Sequence, residues 1–199
     1  MRARRVLIAG CGDLGVCTAG FLGTATVHGL RRSVEALPPN IVPIAADLLS
    51  GAGFAELPAG IDTLIYAPTP AARTEEAYRA IYVHALERLL AALPSPASPL
   101  RLIYVSSTAV YGQNDGEMVD EGSECAPTGF NGRVLREGEQ LAARLLGDSV
   151  VLRLSGLYGP GRHWLLRRVR GGQAIAPGDH WTNRIHLADA GALVGRLAE

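Results

Sequence analysis

The fold is decided by the stretch RVLIAGCGDLG, residues 5–15, in which a short apolar run passes into a glycine-rich turn and then into the start of a helix. The apolar run has the length of a fully buried strand. The glycines that follow, Gly10, Gly12 and Gly15, have the G-x-G-x-x-G spacing of dinucleotide-binding turns. Such glycines permit the tight turn, the approach of a pyrophosphate and close helix packing, in that order. We therefore predict a dinucleotide-binding turn, with an ordinary glycine-rich turn as the alternative.

Length and charge exclude several classes of partner. The 199 residues carry 19 Lys plus Arg and 19 Asp plus Glu, so the net charge does not indicate nucleic acid or an anionic membrane. No apolar run has the length of a membrane span, and the basic N-terminus leads directly into a strand rather than a secretory leader. We expect one ordinary-sized domain, or one plus a fragment of a second, in the cytoplasm, without nucleic-acid or membrane partners.

The cysteines do not indicate a disulfide framework or a metal site. Cys11, Cys17 and Cys125 are few and scattered, and no C-x-x-C pair or Cys/His cluster is present. We predict reduced thiols and no bound metal.

A second predicted strand, residues 25–30, is followed by Arg31, Arg32 and Ser33. NAD sites typically place an acid at the end of this strand for the ribose 2′-hydroxyl, whereas NADP sites place an arginine there for the 2′-phosphate. The planar guanidinium bonds phosphate oxygens bidentately and stays charged. The sequence therefore favours NADP over NAD, and the alternative is a solvated pair of arginines.

Strand and helix patterns alternate along the rest of the chain. Apolar runs predict strands at residues 41–45, 61–67, 100–105 and 149–154, and helical spacing is found at residues 13–23, 74–93 and 132–146. This alternation predicts an α/β fold, a Rossmann-type doubly wound parallel sheet with helices on both faces.

Loops at the carboxyl ends of parallel strands line the ligand crevice of such a sheet. Asp47, in one of these loops, suits an adenine edge or simply caps a turn. The candidate cofactor-binding residues on the turns and loops are Gly10, Cys11, Gly12, Asp13, Leu14, Gly15, Arg31, Arg32, Asp47, Leu48, Ala67, Pro68, Thr69 and Ser106.

Several motifs occur in one order along the chain. They are the glycine turn, Asp47-Leu48, Ser106-Ser107-x-x-Val110-Tyr111-Gly112, Pro127-Thr128, Glu139, Leu157-Tyr158-Gly159-Pro160-Gly161 and Ile185-His186-x-x-Asp189. Together they resemble the extended short-chain dehydrogenase/reductase superfamily, of the NAD(P)-dependent epimerase/dehydratase type. The family commonly shows G-x-x-G-x-x-G, so the glycine spacing marks this chain as an atypical member.

The resemblance implies a catalytic tetrad that this chain retains only in part. The family uses a Tyr-x-x-x-Lys pair, a serine or threonine, and an upstream asparagine. Ser107 matches the serine, whereas the Tyr and Lys positions fall on Asn131 and Leu135, and the asparagine position on Tyr82. A shift of one residue gives Phe130 and Val134 for the pair. Neither alignment supplies a titrating group and a cation.

Two functions follow from this resemblance. The first is an NADP(H)-binding epimerase, dehydratase or reductase with an altered site, acting on a small polar or nucleotide-linked substrate. Ser107 is then the candidate catalytic residue, and the tyrosines that could replace the lost acid are Tyr66, Tyr82, Tyr111 and Tyr158. The second is a sensor or scaffold that binds NADP without turnover. Ordinary aromatic packing is the alternative for each tyrosine, and a homodimer is left open.

The resemblance also divides the chain. We predict an NAD(P)-binding domain over residues 1–155 and a small, incomplete C-terminal substrate lobe over residues 156–199, packed on it. Four arginines within residues 162–170 suit an anionic substrate such as a nucleotide diphosphate, or a solvated helix face. Asp189 is expected to cap the last helix, and His186 to be a packed core residue.

Overall fold

The computed structural model describes residues 3–94, 99–172 and 182–199. A six-stranded sheet is formed by β1 Arg5–Ala9, β2 Thr26–Arg31, β3 Ile41–Ala45, β4 Thr63–Tyr66, β5 Arg101–Ser107 and β6 Ser149–Leu154. All its pairings are parallel, in the spatial order β3-β2-β1-β4-β5-β6. This is the predicted Rossmann-type α/β fold, in which the strand order reverses beside β1.

Helices connect the strands. They are α1 Asp13–Ala19, α2 Glu75–Arg79, α3 Ala85–Ala92, α4 Phe130–Leu145, α5 Trp164–Arg170 and α6 Leu187–Leu197. A π-helical turn, Ala80–His84, joins α2 to α3. Short 3₁₀ turns lie at Phe54–Glu56 and Thr108–Val110.

The alternating side chains of β1 build two cores. Leu7 and Ala9 pack with residues of β4, β5, α3 and α4 on one face of the sheet. Val6 and Ile8 pack on the other face with Val194 of α6. These four side chains of β1 are fully buried, because a parallel sheet is covered on both faces. The glycine turn therefore starts from a strand whose last four residues are completely buried.

The π-helical turn is stabilised by two tyrosines from the sheet. Tyr66 and Tyr104 are fully buried on β4 and β5, with their rings stacked at 5.8 Å between centroids. The Tyr66 hydroxyl donates to the carbonyl of Ile81, and the Tyr104 hydroxyl donates to the carbonyl of Tyr82 at 3.2 Å. Because a π turn changes the pairing of its backbone groups, these hydroxyls hold in place a turn that the regular helical spacing of the sequence did not predict.

The last helix packs on the first through small residues. A Cβ at Gly191 of α6 would lie 2.7 Å from Cys17 Sγ on α1, so the two helices approach closely only because this position is glycine. Two short strands, β7 Gly156–Tyr158 and β8 Arg184–His186, pair in parallel before α6. The division of the chain at residues 155 and 156 stays a prediction.

The cap of α6 corrects the sequence interpretation. Asp189 lies inside the first turn of the helix and does not cap it. The cap is His186, whose Nδ1 accepts a hydrogen bond from the Ala188 N–H at 3.3 Å. Its ring also packs edge-on against Tyr158, with 5.2 Å between centroids. His186 is half-buried and serves as a helix cap as well as a packing residue.

Some element ends differ from the sequence pattern. Helix α1 ends at Ala19, because a tight turn around Gly20 follows, and does not reach residue 23. Strand β2 includes Arg31, since its carbonyl accepts the Ala46 N–H beside β3. No helix of the described residues is long and apolar enough to cross a membrane.

Candidate functional site

A cleft lies across the carboxyl ends of the central strands. It consists of two cavities of about 360 and 260 Å³. Gly10, Gly12, Pro68 and Thr69 line both of them, so the cavities are two halves of one cleft that meet over the glycine turn. This is the position at which open α/β sheets bind ligands.

The three glycines of the turn have different surroundings. Gly10 adopts a φ of +79°, and a Cβ there would lie 2.5 Å from Pro68 Cα. A Cβ at Gly15 would lie 2.8 Å from Ile8 Cγ2. At Gly12 the nearest atom to an added Cβ is the Gly10 carbonyl oxygen, at 4.0 Å. Gly10 and Gly15 are therefore required by the fold, whereas Gly12 leaves open space in the cleft.

The first half of the cleft is lined by the ends of β2 and β3. Arg31 and Arg32 lie there with Asp47 and Leu48. Arg31 Nη1 donates to the Cys11 carbonyl at 3.3 Å, which ties its guanidinium to the glycine turn. Asp47 Oδ1 accepts from the Leu49 N–H at 2.9 Å, so it does cap a turn while it lines the cavity. This half combines two cations with an apolar wall.

The second half of the cleft is lined by the ends of β4, β5 and β6. Ser107 lies there, and its Oγ accepts from the Ala109 N–H at 3.2 Å. Leu135 of α4 and Tyr82 of the π-helical turn line the same cavity. Arg162 lines it as well, 3.5 Å from Asp13 at the start of α1. Hydroxyl groups, an aliphatic wall and one ion pair therefore meet in this half.

A buried carboxylate supports the serine loop from below. Glu139 of α4 is 2 % exposed, and its Oε1 accepts from Ser106 Oγ at 2.7 Å. Arg153 donates to both of its oxygens, at 3.0 and 2.8 Å, and Arg136 donates at 2.8 Å. Burial opposes ionisation, but these hydrogen bonds outweigh it and hold the pKa of Glu139 below its usual value. Glu139 stays charged and fixes the Ser106 side chain.

Arg153 extends this cluster towards Tyr111. Its Nη1 donates to the Tyr111 hydroxyl at 2.9 Å, and its guanidinium carbon lies 5.1 Å from the centre of that ring. The Tyr111 hydroxyl in turn donates to the Asp120 carbonyl at 2.9 Å. Glu139 is recognisable in the sequence only as part of a motif, and the role of Arg153 is not visible there, because its partners come from distant segments.

The four tyrosines considered as substitute acids separate clearly. The Tyr66 hydroxyl is buried against Ile81, and Tyr111 is bound by Arg153. Tyr158 is 51 % exposed and packs on His186 outside the residues that line the cleft. Tyr82 is the member of the set that lines the cavity, and burial raises its pKa to about 12.

The structure brings nearly all the other predicted site residues to the cleft. Cys11 and Gly15 are the exceptions among them. The Cys11 thiol is fully buried between Gly15 and Gly29, and burial raises its pKa to about 11. Those that line the cleft are Gly10, Gly12, Asp13, Leu14, Arg31, Arg32, Asp47, Leu48, Ala67, Pro68, Thr69, Ser106 and Ser107.

Thiols and metal ligands add little to the site. Cys11, Cys17 and Cys125 are all free. Within residues 3–94, 99–172 and 182–199, no group of three or more His, Cys, Asp or Glu side chains is placed to hold a metal ion. Part of the basic stretch at residues 162–170 forms α5. Arg162, which precedes this helix, lines the cleft.

The chain is similar to known proteins along most of its length. A solved structure from Methylobacillus flagellatus, described as an NAD-dependent epimerase/dehydratase, is 34 % identical with a TM-score of 0.77, and covers 98 % of this chain and 70 % of that one. MoeE5, solved with UDP-glucose and NAD, has a TM-score of 0.79 at 22 % identity, over 99 % of this chain and 72 % of that one. The second likeness shows the fold alone.

The chain also matches curated relatives. Protein YeeZ of Escherichia coli K12 is 40 % identical over 109 residues, which is 54 % of this chain and 38 % of YeeZ. A Streptomyces antibioticus protein, named as a dTDP-4,6-dihydroxy-2-methyloxan-3-one 4-ketoreductase, is 31 % identical over 89 % of this chain and 65 % of its own length. The chain thus spans less than two thirds of either relative.

A scan against models of protein families gives no match. The family is shown by the Methylobacillus flagellatus structure, which matches 98 % of this chain at 34 % identity and has a similar fold, with a TM-score of 0.77. The chain belongs to the NAD-dependent epimerase/dehydratase family of extended short-chain dehydrogenases/reductases.

Proposed function

We propose that this protein binds NADP(H) along the cleft and reduces a carbonyl group on a small, nucleotide-linked substrate. The observation that carries the proposal is the order of groups along the cleft. Two arginines lie in one half, the glycine turn lies at the centre, and Ser107 lies in the other half. This order matches the 2′-phosphate, the pyrophosphate and the reactive ring of an extended dinucleotide.

The glycine turn fits a pyrophosphate. A side chain at Gly12 would project into the cleft without meeting protein within 4.0 Å, so the backbone there is bare where a phosphate needs close approach. Asp13 beside it is ion-paired to Arg162, which offsets the repulsion that a free carboxylate would exert on a phosphate. In this proposal Gly10, Gly12, Asp13 and Leu14 hold the centre of the cofactor.

Arg31 and Arg32 support NADP as the cofactor. Both line the first half of the cleft, and a 2′-phosphate there would receive charge-assisted hydrogen bonds. Among the residues that the structure describes, Asp47 is the one acidic residue that lines this cavity, and its carboxylate is already engaged with the Leu49 N–H. The adenine then lies against the apolar wall that includes Leu48.

The proposed substrate class is inferred from what relatives are named for and from the positive charge of an arginine at the cleft. The Streptomyces antibioticus relative is named for a ketoreductase acting on a dTDP-linked keto sugar, and MoeE5 was solved with UDP-glucose. Arg162, at the edge of the second half of the cleft, is a cation suited to a substrate diphosphate. We infer that a nucleotide-linked ketone enters from this side.

The catalytic tetrad of the family is incomplete in this chain. Leu135 lines the cleft at the position that we assign to the family lysine, and the sequence contains no lysine at all. No residue of this chain can therefore supply the lysine of a Tyr-x-x-x-Lys pair. The cofactor supplies a hydride, Ser107 orients the substrate oxygen, and the aliphatic Leu135 side chain excludes water.

The same observation favours a second function. A cleft that binds NADP(H) but lacks the lysine and its tyrosine suits a sensor or scaffold that binds the cofactor without turnover. The two functions share the cofactor site and differ in whether the second half of the cleft performs chemistry, so turnover separates them.

Calorimetry and a turnover assay test the proposal together. We expect NADPH to bind more tightly than NADH, and each Arg→Ala change at 31 or 32 to weaken NADPH binding by about 1.5 to 3 kcal/mol. Arg144→Ala, an exposed arginine of α4 outside the cleft, is the matched control. Equal binding of the two cofactors would remove the NADP assignment.

The turnover arm uses dTDP-4,6-dihydroxy-2-methyloxan-3-one as substrate. Consumption of NADPH with this ketone supports the reductase. Tight NADPH binding without consumption supports the sensor, and no binding of either cofactor contradicts both.

A further inference from the structure

Tyr82 is placed in the cleft by a local departure from helical geometry. It lies in the middle of the π-helical turn Ala80–His84, between α2 and α3. Single π turns are rare and occur frequently at functional sites. Here the turn brings the Tyr82 side chain to the cavity that Ser107 and Leu135 also line.

The Tyr82 hydroxyl is available for a ligand. The hydroxyls of Tyr66, Tyr104 and Tyr111 each donate to a backbone carbonyl. That of Tyr82 has no hydrogen-bond partner among residues 3–94, 99–172 and 182–199, although its backbone carbonyl is bonded by Tyr104. Buried tyrosine hydroxyls normally find a partner, so an unpartnered hydroxyl on a residue that lines the cleft points to a ligand atom.

The surroundings of the ring keep the phenol neutral. Burial raises its pKa to about 12, and the neighbouring Tyr78, whose ring centre lies 5.4 Å away, adds to the effect. Leu135, which lines the same cavity at the position assigned to the family lysine, carries no charge. A phenol that stays protonated at neutral pH acts as a proton donor and not as a base, which favours reduction over oxidation.

We propose that Tyr82 is the proton donor of the reduction, replacing the tyrosine that α4 lacks; this rests on the proposed function. The carbonyl carbon of the substrate accepts the hydride of NADPH, and its oxygen takes the phenolic proton of Tyr82. The products are the alcohol and NADP⁺. The Tyr82 oxygen then recovers a proton from water at the cleft mouth. Ser107 holds the same substrate oxygen from the β5 side.

The first test places Tyr82 without any substrate. In protein labelled at tyrosine, we expect a nuclear Overhauser effect between a tyrosine ring and the nicotinamide C4 protons of bound NADPH. The signal should vanish in Tyr82→Phe and persist in Tyr78→Phe, which changes a neighbouring tyrosine outside the cavity lining. NADPH that binds without this signal overturns the proposal while the cofactor site stands.

The second test measures proton donation with NADPH and dTDP-4,6-dihydroxy-2-methyloxan-3-one. Tyr82→Phe keeps the ring and removes the hydroxyl, so NADPH affinity should stay within about twofold while kcat falls about 100-fold or more. Tyr78→Phe should keep kcat within about threefold. Equal rates for wild type and Tyr82→Phe overturn the proposal, as does a wild type that binds NADPH and leaves this ketone unreduced. Failure to bind NADPH, read by calorimetry, instead overturns the proposed function beneath it.

Discussion

The Tyr104 hydroxyl, on strand β5, donates a hydrogen bond of 3.2 Å to the backbone carbonyl of Tyr82 in the π-helical turn. A Cβ at Gly138 of α4 would lie 2.1 Å from that hydroxyl and 2.8 Å from that carbonyl. Three elements therefore converge on one hydrogen bond, and the absence of a side chain at Gly138 is what admits it. The bond connects the buried sheet to the side of the cleft where we place the chemistry.

We expect Tyr104→Phe to destabilise the protein by about 1 to 2 kcal/mol, because the Tyr82 carbonyl loses its buried partner. Chemical denaturation measures this, and Tyr78→Phe is the control, since the Tyr78 hydroxyl has no hydrogen-bond partner among the described residues. Turnover should fall as well if the π-helical turn positions Tyr82. A Tyr104→Phe protein as stable as wild type would show that the hydroxyl does not hold the turn.

The π-helical turn also shows where sequence reasoning stops. The spacing of Ile81, Leu86 and Leu89 predicts one continuous helix, and all three side chains are indeed buried. The π-helical geometry of the turn is stabilised by the hydroxyls of Tyr66 and Tyr104, which lie on β4 and β5. A local pattern of apolar residues carries no information about such distant partners.

The fold itself was predictable because its determinants are local. The glycine turn and the repeated alternation of strands with helices specify a parallel sheet, and the cleft follows from strand ends meeting at one edge. The direction of individual side chains was not predictable. Cys11 lies between two cleft-lining glycines, yet its thiol points into the core, where Gly15 and Gly29 leave room for it.

Gly12 and Gly15 should respond oppositely to the same substitution. Gly12→Val places its side chain in open cleft space, so we expect a folded protein that no longer binds NADPH. Gly15→Val drives a side chain into Ile8, with Cβ only 2.8 Å from Cγ2, so the melting temperature should drop markedly. Circular dichroism and calorimetry measure the two effects. Undiminished NADPH binding by Gly12→Val would mean that the turn is only structural.

Glu139 should make stability depend on pH. Its pKa is lowered in the folded protein from the ordinary 4.5, so its stabilising contribution is full above that value and is lost as the pH falls through the folded pKa. At pH 7, Glu139→Gln leaves Arg153 without its carboxylate and should cost roughly 3 kcal/mol. The difference in the free energy of unfolding between Glu139→Gln and wild type should become smaller below about pH 4.5.

Glu137→Gln is the matched control for that measurement. Glu137 lies on the same helix, but its side chain is 43 % exposed and its ion pair with Arg79 lies near the surface, where such pairs contribute about 0 to 1 kcal/mol. If Glu139→Gln lowers the free energy of unfolding no more than Glu137→Gln does, the role assigned to the buried carboxylate is contradicted. The same holds if the difference in this free energy between Glu139→Gln and wild type grows in acid.

In the proposed alignment with the family, Ser107 is the retained member of the tetrad and Asn131 occupies the position of the lost tyrosine. Ser107 lines the cleft, whereas Asn131 is half-buried in the first turn of α4 and is absent from the cleft lining. We therefore expect Ser107→Ala to lower the rate of ketone reduction about 100-fold, as loss of one positioned hydroxyl does. Asn131→Ala should keep most of the rate. Ser107 also caps the 3₁₀ turn through Ala109, so Ser107→Thr, which keeps a hydroxyl, separates chemistry from folding and should retain activity. Stopped assays with NADPH and the dTDP-linked ketone measure all three variants. A rate that depends on Asn131 and not on Ser107 would mean that α4 is aligned wrongly with the family and that the reacting atoms lie nearer to its first turn.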